Sequence, residues 1–139
     1  MPERLALLGL LVAIVVVGAF VVRLWNRRTT LVIKAGGPAW STLGTEPDGR
    51  RTLIAFSTPS CAACHQAQAP AIDRARTAVG GESVRVIKID AADQPHVARA
   101  FGIQTVPSTV VVAATGGQII AINQGFTPSA RLVQQLQQA

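Results

Sequence analysis

Cysteine is scarce in this chain of 139 residues, and the scarcity confines its chemistry to one place. Only Cys61 and Cys64 occur, so a framework of several structural disulfides is excluded. No second C-x-x-C and no H-x-x-H is present to complete a tetrahedral zinc site. The two cysteines lie in "SCAACH", from Ser60 to His65. Its C-x-x-C spacing is that of a redox dithiol, and C-x-x-C-H is also the spacing that attaches a c-type haem, so both interpretations stay open here.

Charged residues and proline are missing from residues 5–22. As a helix this run would be about 27 Å long, close to the ~30 Å hydrocarbon core of a bilayer. Trp25 and three arginines, Arg23, Arg27 and Arg28, follow it as interfacial anchors would. We therefore predict an N-terminal transmembrane helix that contacts the lipid bilayer through residues 5–22.

A cleaved secretory signal is the alternative for the same run, because residues 17–19 offer a small-residue cleavage pattern. We favour an uncleaved anchor, since the apolar run is longer than a usual signal core and arginines follow it directly. More basic residues follow the run than precede it. This bias favours the cytoplasmic side for the C-terminal domain of a single-pass protein, with the extracytoplasmic side as the alternative.

The net charge of +6 does not indicate a nucleic-acid partner. Residues 1–34 carry five basic residues and one acidic residue, whereas residues 35–139 carry eight basic and six acidic ones. The excess lies beside the apolar run, where it suits anionic lipid head groups.

Hydrophobic patterns after the anchor predict an α/β domain with a mixed sheet flanked by helices. Strands are predicted over residues 31–35, 52–57, 84–90, 109–114 and 118–123, the last two as a hairpin around Gly116-Gly117. Four helical segments are predicted: one turn within residues 40–43, a helix over residues 61–79, a short helix near residues 97–101, and a last helix from Thr127-Pro128 onward. In the helix over residues 61–79, Ser60 is the expected N-cap and Ala67 is expected on the buried face. The domains are then a membrane anchor with its basic flank (1–28), a first strand and linker loop (29–51) and a core domain (52–139).

This order of elements resembles the thioredoxin family over about residues 31–139. The strongest marks are Cys61-Ala62-Ala63-Cys64 at a helix start and Thr105-Val106-Pro107 before a strand. The resemblance implies a thioredoxin-like fold in which Cys61 is the attacking thiol and Cys64 the resolving thiol. Pro107 matches the family's cis-proline beside the disulfide; Val106 would offer its backbone to a substrate, with Thr105 nearby.

Elementary chemistry is consistent with these roles. The thiolate is the nucleophile in thiol–disulfide exchange, and the free N–H groups and dipole at a helix start stabilise it. Two intervening residues let the second sulfur reach the mixed disulfide and release the product.

Several residues depart from the family pattern. The best-known members have tryptophan at the position of Ser60 and Gly-Pro at the positions of Ala62 and Ala63. Many members have a buried aspartate at the position of Ala55. Pro70 comes one residue later than usual. His65 stands where Lys or Arg is common. Ser60, Ala62, Ala63 and His65 are therefore expected to modulate the rate and the potential. His65 would favour the thiolate as a cation or shuttle a proton as a neutral imidazole, and the alternative is a solvated surface residue.

The expected function is that of a membrane-tethered thiol–disulfide oxidoreductase, acting more as a reductant on protein thiol and disulfide substrates. Electrons would come from a reductase or a thiol carrier in the membrane. No organic cofactor or metal is implied, because the Cys61–Cys64 disulfide is itself the redox group.

Three alternatives are weaker. Haem attached through "CAACH" would lack a distal ligand, since Met1 precedes the anchor and His96 is the only other histidine. The others are a metal-handling site and a redox-inert docking domain.

Overall fold

The computed structural model describes residues 1–34 and 39–139. It divides into two compact units, Met1–Val32 and Ile33–Ala139. The first belongs to a single helix and the second contains the sheet.

Helix α1 spans Pro2–Lys34. Its segment Leu5–Leu24 comprises 20 residues with a mean hydropathy of 3.1. At about 1.5 Å per residue this segment is long enough to cross a bilayer, and an apolar helix so near the N-terminus is also compatible with a secretory signal sequence. The predicted apolar N-terminal helix is therefore present as a candidate membrane span.

The prediction of a strand over residues 31–35 is wrong for residues 31–34, which the structure describes. Residues 31–34 continue helix α1, and Ala35 lies outside the described residues. Strand preference of β-branched residues is a weak local term, whereas an established helix adds each further residue at little cost. The sheet therefore begins with the strand that leads to the cysteines.

The second unit contains a four-stranded sheet in the order β2-β1-β3-β4. Strand β1 runs parallel to β2 and antiparallel to β3, and β4 runs antiparallel to β3. The strands are β1 (Arg51–Ser57), β2 (Val84–Asp90), β3 (Ser108–Val112) and β4 (Ile119–Gln124). The predicted mixed sheet is thus confirmed, and the four predicted strands from residue 52 onward lie within two residues of the observed bounds.

The two faces of the sheet bury separate hydrophobic clusters, because side chains of a strand alternate between faces. Ile54 and Phe56 lie in one cluster, and Leu53 and Ala55 lie in the other. Helices α2 (Ala39–Leu43) and α4 (Pro95–Ala100) cover the first cluster, and helices α3 (Ala69–Ala78) and α5 (Ser129–Gln138) cover the second. The helical turn predicted within residues 40–43 is confirmed.

The pairing of the strands brings separate parts of the chain together at one end of the strands. Phe56 near the end of β1 pairs with Ser108 at the start of β3, and Ser108 also pairs with Gln124 at the end of β4. The residues that follow β1 and β4 therefore lie beside those that precede β3.

Candidate active site

Cys61 and Cys64 lie at the beginning of the helical segment that follows β1. They are joined by a disulfide, and their Cα atoms are 5.3 Å apart. The N–H of Cys61 donates to the carbonyl of Thr58 over 3.1 Å, and the N–H of Cys64 donates to Sγ of Cys61 over 3.1 Å. Cys61, rather than Ser60, thus occupies the N-cap position, where a side chain accepts a hydrogen bond from a free N–H group.

The two cysteines differ in exposure. Cys61 is half-buried, whereas Cys64 is only 4% exposed. The intervening Ala62 and Ala63 and the preceding Ser60 are exposed and present only small side chains. An incoming molecule therefore meets the sulfur of Cys61 before that of Cys64.

The helix accommodates one extra residue directly after the motif. Cys64–Gln68 form a π-helical turn in which the N–H of Ala69 donates to the carbonyl of Cys64, five residues back. Helix α3 begins at Ala69 and places Pro70 in its first turn, where a missing N–H costs no hydrogen bond. The π turn thus explains why Pro70 comes one residue later than in the family pattern.

The π turn also decides which side chain points into the protein. Gln68 is 2% exposed, while Ala67, which a regular helix would bury, is only half-buried. Nε2 of Gln68 donates to the carbonyl of Thr127 over 3.1 Å, and Oε1 accepts from the N–H of Thr127 over 2.8 Å. The carbonyl of Thr127 accepts from Gln68, and the first helical N–H groups of α5 donate to the carbonyl of Pro128 instead. Pro128 is therefore the N-cap and the helix starts at Ser129, which corrects the predicted start.

The segment that precedes β3 contains the predicted groove residues. The peptide bond between Val106 and Pro107 is cis. The carbonyl of Thr105 accepts a hydrogen bond of 2.7 Å from the hydroxyl of Ser108. This bond links the predicted groove segment to the start of β3.

Gln124, at the end of β4, makes hydrogen bonds to the loop that precedes β3. Nε2 of Gln124 donates to the carbonyl of Gly102 over 2.8 Å, and its Oε1 accepts from the N–H of Gln104 over 3.1 Å. The loop that carries the cis-proline is therefore anchored to the end of β4 by one side chain.

Two concave spaces lie at this end of the sheet, and Cys64 lines one of them. A cavity of about 180 Å³ is lined by Cys64, Pro107, Gln68 and Ala55. Its lining also includes three ionisable side chains, those of His65, Asp73 and Lys88.

The second space is an open cleft of about 300 Å³. Thr58, Thr105 and Val106 line it together with Arg99. The predicted groove residues are therefore divided, with Pro107 at the cavity and Thr105 and Val106 at the cleft.

His65 is exposed, and its Nε2 lies 3.2 Å from the carbonyl oxygen of Thr58. This contact fastens the ring to the turn that leads into Cys61. Within residues 1–34 and 39–139, no group of three or more His, Cys, Asp or Glu side chains is close enough together to hold a metal ion.

Sequence reasoning missed the two glutamines that hold this site. For Gln68 the sequence contains one signal, the late position of Pro70, which indicates an inserted residue. For Gln124 we find no signal, because its partners are backbone groups of a distant loop.

Comparisons with known proteins agree with this geometry. The sequence model of the Thioredoxin family matches residues 45–138, about two thirds of the chain. Among solved structures, chloroplastic thioredoxin z has a TM-score of 0.57 at 22% identity, and the match covers 73% of this chain and 83% of that chain. Oxidized mitochondrial thioredoxin 3 from Saccharomyces cerevisiae has a TM-score of 0.56 at 22% identity, covering 67% and 82%. A mutant thioredoxin from Halobacterium salinarum NRC-1 has a TM-score of 0.56 at 24% identity, covering 66% and 76%.

None of the curated proteins matches the chain significantly. The structural neighbours are too distant in sequence to show more than the fold. The family match, in contrast, spans the cysteine pair, the cis-proline and all four strands of the sheet. This fold with its bonded cysteine pair supports thiol–disulfide redox activity, and the chain belongs to the thioredoxin family.

Proposed function

We propose that this protein is a membrane-tethered thiol–disulfide oxidoreductase that reduces disulfides of other proteins. The observation that carries the proposal is the bonded pair of an accessible Cys61 at a helix N-cap and a buried Cys64. In this proposal Cys61 is the nucleophile and Cys64 the resolving thiol.

In the first step, the thiolate of reduced Cys61 attacks one sulfur of a substrate disulfide. A bond forms between Cys61 and that sulfur, and the second substrate sulfur leaves as a thiolate that takes up a proton. The N–H of Cys64, 3.1 Å from Sγ of Cys61, and the helix dipole favour the anionic form of the nucleophile.

In the second step, the Cys64 thiolate attacks Sγ of Cys61 and releases the other substrate sulfur. The cysteine pair loses two electrons and the substrate gains them, which returns the protein to the oxidised state seen in the structure. The proton of Cys64 leaves through the cavity, where Ala55 offers no carboxylate to accept it.

An extended substrate segment suits the cleft beside Thr105 and Val106. A reductase or a thiol carrier then regenerates the dithiol. The reaction needs no organic cofactor or metal, because sulfur carries both electrons.

The apolar segment Leu5–Leu24 supports the tether, and the basic residues that follow it support a cytoplasmic position of the catalytic domain. A tethered protein stays in the membrane fraction after alkaline extraction, whereas a processed one is released. For the sidedness, intact cells are first treated with a membrane-permeant reductant, so that Cys61 is a free thiol on either side. An impermeant maleimide should then leave Cys61 unmodified, and labelling would place the domain outside.

The mechanism is tested with the full-length reduced protein in detergent and an aromatic disulfide whose thiolate is coloured. Wild type releases two thiolates in sequence. C64S should release one and retain the other as a mixed disulfide, and C61S should release neither at a comparable rate. Wild-type turnover by C61S would refute the assignment of the nucleophile.

A further inference from the structure

Gln68 is the buried polar side chain closest in sequence to the cysteine pair, and both its amide nitrogen and its amide oxygen are hydrogen-bonded. It is 2% exposed, and its amide pairs with both backbone polar groups of Thr127, 59 residues further along the chain. Thr127 itself is 3% exposed, so neither of its backbone groups has ready access to water. The side chain of Gln68 thus supplies the hydrogen bonds that water would make to the N–H and the carbonyl of Thr127 at an exposed position.

The pairing connects two chain segments. On one side, Gln68 is the last residue of the π turn that begins at Cys64, and the carbonyl of Cys64 accepts the hydrogen bond of this turn from the N–H of Ala69. On the other side, Thr127 follows the end of β4, where Gln124 pairs with Ser108. Gly125, which follows Gln124, therefore lies opposite Pro107, which precedes Ser108. Cys64, Gln68 and Pro107 line one cavity.

We propose that Gln68 is a positioning residue for the resolving step, because it holds the π turn of Cys64 against residues 125–127. The inference rests on the proposed function. Without the amide, the N–H and carbonyl of Thr127 would have to move toward water, and the turn that sets the direction of the Cys64 sulfur would lose its partner. The attack by Cys61 would be affected less, because Cys61 precedes the π turn and its N–H donates to the carbonyl of Thr58, which also precedes the turn.

The test follows the two thiolate releases from an aromatic disulfide by rapid mixing with the full-length reduced protein in detergent. The first release reports bond formation at Cys61, and the second reports attack of Cys64 on Cys61. We expect Gln68→Met to slow the second release by about five- to thirtyfold, the range that corresponds to losing one or two hydrogen bonds, and to change the first by less than about twofold.

Gln135→Met is the matched control. Gln135 is also a buried glutamine, and its amide makes two hydrogen bonds to the side chain of Asn123, of 2.8 and 2.9 Å. It lines neither space beside the cysteines. Its loss should leave both releases within about twofold of wild type. Equal slowing of the second release in both variants would overturn the proposal, since general loosening would then explain it.

Gln68→Glu keeps the test decisive if Gln68→Met does not fold. A protonated carboxyl group donates and accepts like the amide, whereas the ionised form cannot donate to the carbonyl of Thr127. The second release of this variant, divided by that of wild type, should be near one at pH 5 and fall by about fivefold or more by pH 8. His65, Asp73 and Lys88, which line the same cavity, are present in both proteins and cancel in the ratio.

A ratio independent of pH, or a wild-type second release in Gln68→Met, would overturn the inference and leave the proposed function intact. Wild-type protein that releases no thiolate at all would refute the proposed function and the inference with it.

Discussion

Phe56 and Ser108 are paired across β1 and β3, and this pair determines where the active-site segments meet. Pro107 directly precedes Ser108, and Cys61 follows Phe56 after a short turn. A shift of the register by one residue would exchange the buried faces of β3, so the hydrophobic core of both faces maintains the alignment. The contact between Pro107 and the cavity of Cys64 is thus a consequence of strand pairing.

The first prediction concerns the direction of electron flow. If the protein is a reductant, the Cys61–Cys64 pair of the full-length protein should equilibrate with glutathione at a potential near that of thioredoxin, about −270 mV. A potential near about −120 mV would instead show a disulfide-forming oxidant.

The second prediction concerns the missing carboxylate. Ala55→Asp places a carboxyl group at a position that is 9% exposed and lines the cavity of Cys64. It should accelerate the second thiolate release at neutral pH by accepting the Cys64 proton, and Ala55→Asn, which has nearly the same shape but does not titrate, should not. Equal rates in both variants would contradict this role.

The same pair of variants has a predicted pH dependence of stability. Burial raises the pKa of the introduced carboxyl above its unfolded value of about 3.9. The folded state then binds more protons than the unfolded state, so stability falls as the pH rises through this interval. Urea unfolding should show Ala55→Asp losing about 1–3 kcal/mol more than Ala55→Asn at pH 8, and a smaller difference near pH 4.

A third prediction concerns Phe126, an apolar side chain that is 53% exposed in the segment beside Pro107. Phe126→Ser should change the free energy of unfolding by less than about 0.5 kcal/mol, because few contacts are lost at an exposed position. It should raise KM for a protein disulfide and leave the reaction with a small aromatic disulfide unchanged. An equal loss with both substrates would show that Phe126 acts on the cysteines and not on docking.

The fourth prediction tests the packing of the β3–β4 hairpin. A Cβ atom at Gly117 would lie 2.5 Å from Nε1 of Trp40, a buried ring nitrogen that has no hydrogen-bond partner among residues 1–34 and 39–139. A Cβ at Gly116 would meet no atom of these described residues within 4 Å. Both glycines have positive φ, so the two alanine variants share the same backbone strain. Gly117→Ala should therefore be less stable than Gly116→Ala by about 1–3 kcal/mol in chemical unfolding. Equal stabilities would show that Trp40 moves freely.

The sequence predicted the sheet well for a physical reason. Residues 52–57 are a short apolar run bounded by turn residues, and such a run is buried on both faces of a sheet. Residues 84–90 are mostly β-branched, which favours a strand at the edge of the sheet as well. The Gly116-Gly117 turn marked the hairpin, since both residues adopt the positive φ that it requires. The prediction failed at residues 31–34, where a weak strand preference competed with the continuation of α1.

Local sequence alone determined the cysteine pair, its place at a helix start, the apolar N-terminal helix and the strands, because each depends on residue type or short-range periodicity. The cis-proline at Pro107 was expected from the family resemblance. Only the tertiary structure decided that Gln68 replaces Ala67 on the buried face and that Thr127 is held by an amide instead of beginning α5. These features depend on hydrogen bonds between residues far apart in the chain, and a π turn is stable here because its extra residue gains such a partner. Periodicity within one helix contains no information about that partner.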